Sequence, residues 1–122
     1  NLMYKGSCLC GEVKFELADE PVAVSHCHCR MCQKQHGSAF ATYARFPRQA
    51  LHYVTDMEKL ASYNSSADVV RKFCRTCGSS IEWGHSGRYL DWVSIAVASL
   101  DTEFKALEIE DIHVESRARW VM

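Results

Sequence analysis

Seven cysteines fall in three tight groups, Cys8-Leu9-Cys10, Cys27-His28-Cys29-Arg30-Met31-Cys32 and Cys74-Arg75-Thr76-Cys77. Thiolates one or two residues apart can converge on a single tetrahedral metal ion, and Zn²⁺ is the usual occupant of such a site. The first and third groups are pairs. Residues i and i+2 of an extended segment face the same side, so Cys8 and Cys10 can share an ion, and Gly11 permits the close turn that follows. Cys74-x-x-Cys77-Gly78 has the same logic, with a glycine where the backbone must run tightly beneath the metal. Together the pairs make a complete four-cysteine site, which leaves no open coordination position and acts mainly on stability. Other divisions of the seven cysteines are open at this stage, though splitting the middle group between two sites is sterically less simple.

Cys27, Cys29 and Cys32 are left over. Three thiolates from one short loop can grip three corners of a tetrahedron and leave the fourth for water, a substrate or a nearby side chain, the pattern of a catalytic zinc. Zn²⁺ with three thiolates carries a charge of −1, which makes it a poor Lewis acid and ill suited to generating hydroxide. A substrate thiol bound at the open corner would be deprotonated and held as a nucleophile, so sulfur chemistry is the better inference. Two alternatives stand beside it: a second structural site closed by His26, His28 or His36, and a metal-free redox cluster. His36, four residues after Cys32, is a candidate fourth ligand or acid/base for the proton of the adduct, and equally a surface histidine. His28 is expected to point away from the metal, as a supporting or surface group.

The elements that must position these groups read as strands. Val13, Phe15 and Leu17 alternate with Glu12, Lys14 and Glu16, the period-2 pattern of a half-buried strand. Asp19-Glu20-Pro21 breaks it, and Val22 to Val24 begin another. Phe40 to Phe46 (ending at Pro47), Leu51 to Val54, Val69 to Phe73 and Ser80 to Trp83 read likewise. Leu90 to Leu100 is the longest apolar stretch, and Ile109 to Val114 is a candidate last strand. Helical signals are confined to Arg30–His36 and to Asp101-Thr102-Glu103, which could start a helix. A mainly β fold organised as one domain over residues 1–122 follows.

Composition bounds the function classes. Net charge is −1, with 14 basic and 15 acidic residues, so no footprint for nucleic acid or an anionic membrane is visible. No apolar run approaches the roughly 20 residues of a membrane span, and nothing resembles a signal peptide, which points to a cytoplasmic protein. The sequence starts at Asn1 rather than at a methionine, which leaves a preceding segment open. An odd cysteine number and close spacing favour metal ligation over a disulfide framework. The sequence is compatible with a homodimer and does not decide it.

In order along the chain, Gly6-Ser7-Cys8-Leu9-Cys10-Gly11-Glu12-Val13, then Cys27-His28-Cys29-Arg30-Met31-Cys32, then Phe73-Cys74-Arg75-Thr76-Cys77-Gly78-Ser79 resembles the glutathione-dependent formaldehyde-activating enzyme family, which includes centromere protein V. The likeness runs from Gly6 to about Trp83, and more weakly to Glu115-Ser-Arg-Ala-Arg-Trp120. It implies an Mss4-like fold of coiled antiparallel sheets stabilised by zinc. It also implies two zinc ions per chain, a structural one on Cys8, Cys10, Cys74 and Cys77 and a catalytic one on Cys27, Cys29 and Cys32, the second compatible with partial occupancy. The implied reaction adds the thiol of glutathione to formaldehyde and is classed with carbon–sulfur lyases. A non-catalytic, zinc-stabilised protein-binding module is the alternative.

Glutathione carries two carboxylates, for which Arg30, Lys34, Arg45 and Arg88 are candidate partners. Trp83, Tyr89 and Trp92 read as core or interface aromatics, and Glu82 and His85 carry no assigned role. Sharper motifs fail. His113-Val114-Glu115 matches the H-x-E of zinc deaminases without the P-C-x-x-C that must follow, and there is no H-E-x-x-H, P-loop or dinucleotide fingerprint. Methionine sulfoxide reductases share zinc-binding cysteine pairs but need a late nucleophilic cysteine, and none follows Cys77.

Overall fold

Val13, Phe15 and Leu17 are buried while Lys14 is exposed, so the alternation in the sequence becomes a half-buried strand. The computed structural model describes residues 3–106 and 108–121. Its strands are β1 (Tyr4–Ser7), β2 (Lys14–Leu17), β3 (Ala23–Cys27), β4 (Ala41–Pro47), β5 (Leu51–Tyr53), β6 (Leu60–Asn64), β7 (Val69–Cys74), β8 (Ser80–His85), β9 (Trp92–Ala96) and β10 (Glu110–Ile112). One helix, α1 (Arg30–His36), lies between β3 and β4.

Among the described residues the strands form two sheets, one of order β1-β2-β5 and one of order β10-β3-β4-β9-β8-β7-β6. The main core joins them: Phe15 and Leu17 of β2 pack with Val24, Ala44, Phe46, Ile81, Val93 and Ile95 of the larger sheet. Side chains alternate across a strand. Ala44 and Phe46 therefore face this core, while Ala41 and Tyr43 face a second, smaller cluster with Cys27, Cys32 and Ala96. The larger sheet packs on the smaller sheet with one face and carries the middle cysteine group on the other.

The helix spans the expected residues and is short, so its ends matter more than its propensity. Cys29 caps it, its Sγ accepting from the Cys32 N–H at 3.3 Å, and Gly37 closes it in the left-handed region at φ 64°. Buried Gln33 anchors it by donating to the carbonyls of His28 and Ser116, at 2.7 and 2.9 Å.

Several expectations change. The sheets are antiparallel except for β10, which runs parallel to β3 and places Ile112 beside Cys27. The segment Asp101-Thr102-Glu103 starts no helix. Its capping groups are used across the chain instead: Ser7 Oγ donates to the Asp101 carboxylate at 2.6 Å, and the Lys5 N–H donates to Thr102 Oγ1 at 2.9 Å. β1 and β6 lack a readable alternation, β1 because of Gly6 and β6 because Ser62, Tyr63 and Asn64 are all exposed. No helix among the described residues is long and apolar enough to cross a membrane.

Gly6 pairs with Phe15 across β1 and β2, and the Phe15 ring lies over it. A Cβ at this position would stand 2.1 Å from the ring's Cζ. Because Phe15 is walled in, Gly6→Ala is expected to destabilise the fold by about 1–3 kcal/mol, read as a lower denaturation midpoint of the metal-loaded protein at unchanged slope.

Candidate metal centres

Cys8 and Cys10 leave the end of β1, and Cys74 and Cys77 form the turn between β7 and β8. Gly11 at φ 83° and Gly78 at φ 80° make the turns that follow each pair, in a region where a side chain would be strained. The four sulfurs lie within 4.8 Å of one another. Cys8 Sγ to Cys10 Sγ is 3.6 Å, and Cys10 Sγ to Cys74 Sγ is 3.7 Å. A tetrahedron with metal–sulfur bonds of about 2.3 Å has edges of about 3.8 Å, so the donor set fits zinc.

Backbone and hydroxyl donors already face these sulfurs. The Val13 N–H donates to Cys8 Sγ at 3.2 Å, the Cys77 N–H donates to Cys74 Sγ at 3.4 Å, and Ser79 Oγ lies 3.1 Å from Cys77 Sγ. The Ser79 hydroxyl, with nearby N–H groups, lowers the Cys77 thiol to about 5. At least one of the four is thereby held ready to receive a cation.

The middle group assembles from three places: Cys27 ends β3, Cys29 caps α1, and Cys32 sits in its first turn. Their sulfurs also lie within 4.8 Å of one another. Cys27 and Cys32 are buried and Cys29 is half-buried. The contact with Cys32 lowers the Cys27 thiol, and the same contact raises Cys32. A bound cation would displace the thiol protons that remain on the group.

Among the described residues no histidine joins this group. His26 Nδ1 pairs with Thr42 Oγ1 at 2.8 Å. His28 is buried rather than on the surface, with Nε2 2.8 Å from Asp111 Oδ1 on β10 and Nδ1 without a partner. His36 Nε2 lies 2.9 Å from the hydroxyl of buried Tyr43. Burial, helped by the charge of Arg71, lowers His36 to about 4, and burial raises the Tyr43 phenol. At neutral pH the pair is an uncharged imidazole and a protonated phenol.

Arg71 is the site residue that the sequence reading missed. It projects from β7 into the second cluster with its Nη1 3.6 Å from Cys32 Sγ. The one available signal was an arginine inside the otherwise strand-like Val69–Phe73 run that leads into Cys74. The four candidate cations are placed otherwise. Arg30 and Lys34 lie on α1, with Arg30 Nη1 donating to Gln33 Oε1, while Arg45 and Arg88 both lie against the Tyr89 ring. Glu82, given no role, is buried and accepts from the Tyr53 hydroxyl at 2.6 Å, tying the small sheet to the large one. A cleft of about 450 Å³, lined by Ser7, Cys8, Gln35, His36, Ser79 and Asp101 among others, runs between the surroundings of the two cysteine groups. A larger cleft of about 960 Å³ beside Tyr4, Val24 and Phe104 has no cysteine or histidine in its lining among the described residues.

Residues 3–116 match the family described as glutathione-dependent formaldehyde-activating enzyme. An uncharacterized lyase of Schizosaccharomyces pombe is 28% identical over 83 residues, covering 68% of this chain and 58% of the relative. A protein of Podospora anserina named "Putative glutathione-dependent formaldehyde-activating enzyme" is 34% identical over 92 residues, covering 70% and 43%. One of the same name from Emericella nidulans is 28% identical over 95 residues, covering 75% and 48%. The chain thus spans about half the length of the curated relatives it matches. A crystal structure of a Rhodobacter sphaeroides protein superposes with a TM-score of 0.70 at 26% identity, covering 88% of this chain and 98% of that one.

Two outcomes are expected of these centres. Cys74→Ser, at the fully buried sulfur that joins β1 to the β7–β8 turn, should lower the thermal midpoint of metal-loaded protein more than Cys27→Ser does. The second concerns acid. The folded state holds His36 at about 4 against 6.5 unfolded, so it binds fewer protons, and the associated stability is present above 6.5 and lost as pH falls toward 4. Denaturation midpoints across this window should fall less steeply for His36→Gln than for the parent.

Proposed function

The chain belongs to the glutathione-dependent formaldehyde-activating enzyme family, and from that premise we propose that it is a zinc-dependent enzyme of the carbon–sulfur lyase type. Its substrates would be a small, glutathione-like thiol and an aldehyde such as formaldehyde. The observation that carries this reading is the contrast between the two cysteine groups: four sulfurs converge in one, and three, with no histidine to close the set among the described residues, in the other.

Cys8, Cys10, Cys74 and Cys77 would hold a structural zinc, and Cys27, Cys29 and Cys32 a catalytic one. When bound there, zinc supplies the positive charge that lets a visiting thiol give up its proton near neutral pH. The chain's own residues do the rest. Cys29, the half-buried member, leaves the group accessible from its side, while Tyr43, Ala96 and Trp83 pack around the other two sulfurs and keep water away.

The overall change is addition: a carbon–sulfur bond forms, the carbonyl π pair moves to oxygen, and the proton lost by the thiol ends on that oxygen. His36, uncharged at neutral pH and paired with the Tyr43 hydroxyl, would pass that proton. Reduced thiols and their metals persist in a reducing compartment, which supports a cytoplasmic setting.

One observation favours the second reading, a non-catalytic zinc-stabilised binding module. Among the described residues no lysine or arginine lines the cleft beside His36, so the two carboxylates of glutathione have no cation there. Metal content separates the readings: two zinc ions per chain, one lost in Cys27→Ser, support the enzyme, and one ion unaffected by Cys27→Ser supports the module.

The activity is tested by exchange NMR on glutathione and formaldehyde. Fully zinc-loaded protein is expected to accelerate formation of the hydroxymethyl adduct, and Cys29→Ser to abolish the acceleration. An exchange rate equal to that of the protein-free mixture would sink the reaction.

A further inference from the structure

Arg71 is only 3% exposed, and among the described residues no carboxylate pairs with it. A buried guanidinium without an anion is costly, and arginine cannot escape by losing its proton. Two of its contacts are neutral: Nε donates to Ser65 Oγ at 2.9 Å, and Nη1 donates to Gln35 Oε1 at 3.3 Å. The remaining contact is Nη1 to Cys32 Sγ at 3.6 Å. The negative charge that this cation requires therefore has one source among its contacts, the sulfurs of the middle cysteine group.

The two groups differ in how their charge is handled. The four-sulfur group spans core and surface, with Cys8 and Cys74 buried, Cys77 half-buried and Cys10 exposed, and receives backbone N–H and hydroxyl donors; no lysine or arginine side chain donates to its sulfurs among the described residues. The three-sulfur group has no exposed member, Cys27 and Cys32 being buried and Cys29 half-buried, and has a full positive charge built against it. A net charge is harder to keep where no sulfur is exposed to water.

We propose that Arg71 is the counter-cation of the three-thiolate centre, a positioning residue that brings the unit of one zinc and three thiolates from −1 to neutral. This rests on the metal reading given above and adds to it. Charge compensation stabilises the thiolate form of Cys32 and so raises metal retention at this centre alone. It also draws electron density toward the guanidinium side of Cys32, which leaves a bound metal more able to hold an incoming sulfur as thiolate. The four-sulfur centre does not depend on it.

The test is metal retention in full-length protein loaded with zinc, challenged with a chelator, and compared among the parent, Arg71→Met and Arg71→Lys. The parent should release its two ions in a slow and a faster phase. Arg71→Met should lose the faster ion about 10–100-fold more readily, the usual scale for removing a partner of a metal ligand, with the slower phase unchanged. Arg71→Lys, which restores charge without the planar fork, should recover most of the difference. In cobalt-loaded protein the sulfur-to-metal charge-transfer band of the second centre should move in Arg71→Met and return in Arg71→Lys.

Equal retention in the parent and Arg71→Met overturns the proposal, as does an Arg71→Lys protein no better than Arg71→Met, which would assign the effect to shape. Should Arg71→Met fail to fold, Ser65→Ala carries the test by freeing the guanidinium from its hydroxyl anchor. A several-fold faster loss of the second ion supports the proposal, and no change overturns it. A parent that binds a single ion overturns the metal reading itself, and the proposal with it, a result distinguishable from the others by stoichiometry alone.

Discussion

The convergence of Cys8, Cys10, Cys74 and Cys77 is the constraint on which the rest of the structure depends. It joins the exit of β1 to the turn between β7 and β8, with Cys10 and Cys74 64 positions apart in the sequence. Closing such a loop is entropically unfavourable, and a shared ion would offset that cost where a small core alone would leave little margin. The main core grows around the same point, because Cys8 and Cys74 are themselves members of it beside Val13, Phe15 and Ile81. Fixing the small sheet against the large one in this way leaves the opposite face of the large sheet free for the second cysteine group.

That second group is built on different physics. Its sulfurs come from a strand end, a helix cap and a helix turn, so they can meet only if β3 and α1 keep their relative placement. Gln33 and the parallel strand β10 hold that placement from one side, and Arg71 supplies charge from the other. The paired expectation of one closed and one open centre thus corresponds to two environments. The first reaches from the core to an exposed Cys10 and is supplied with backbone donors; the second has no exposed member and is faced by one cation.

Much of this was legible in the sequence because the signals were local. The alternation over Glu12–Leu17, the Arg30–His36 helix and the three cysteine spacings each depend on neighbours a few residues apart. What escaped depends on distant partners. Arg71 meets Cys32 across 39 residues, and His28 meets Asp111 across 83, so neither pairing has a sequence signature. Asp101-Thr102 reads as a helix start because capping oxygens serve a strand edge equally well, Thr102 Oγ1 accepting from the Lys5 N–H and the Asp101 carboxylate from the Ser7 hydroxyl. β6 was invisible because an exposed edge strand needs no apolar alternation.

The central claim is that one centre is closed and the other keeps a corner for an external sulfur. X-ray absorption at the zinc edge reads it directly, on two-zinc protein prepared with a phosphine reductant so that no free thiol is present. Averaged over four thiols at one centre and three at the other, the sulfur number should be about 3.5 per zinc and rise to about 4 when glutathione is added. A sulfur number of about 4 before any thiol is added, or one of about 3.5 that glutathione leaves unchanged, would contradict the account.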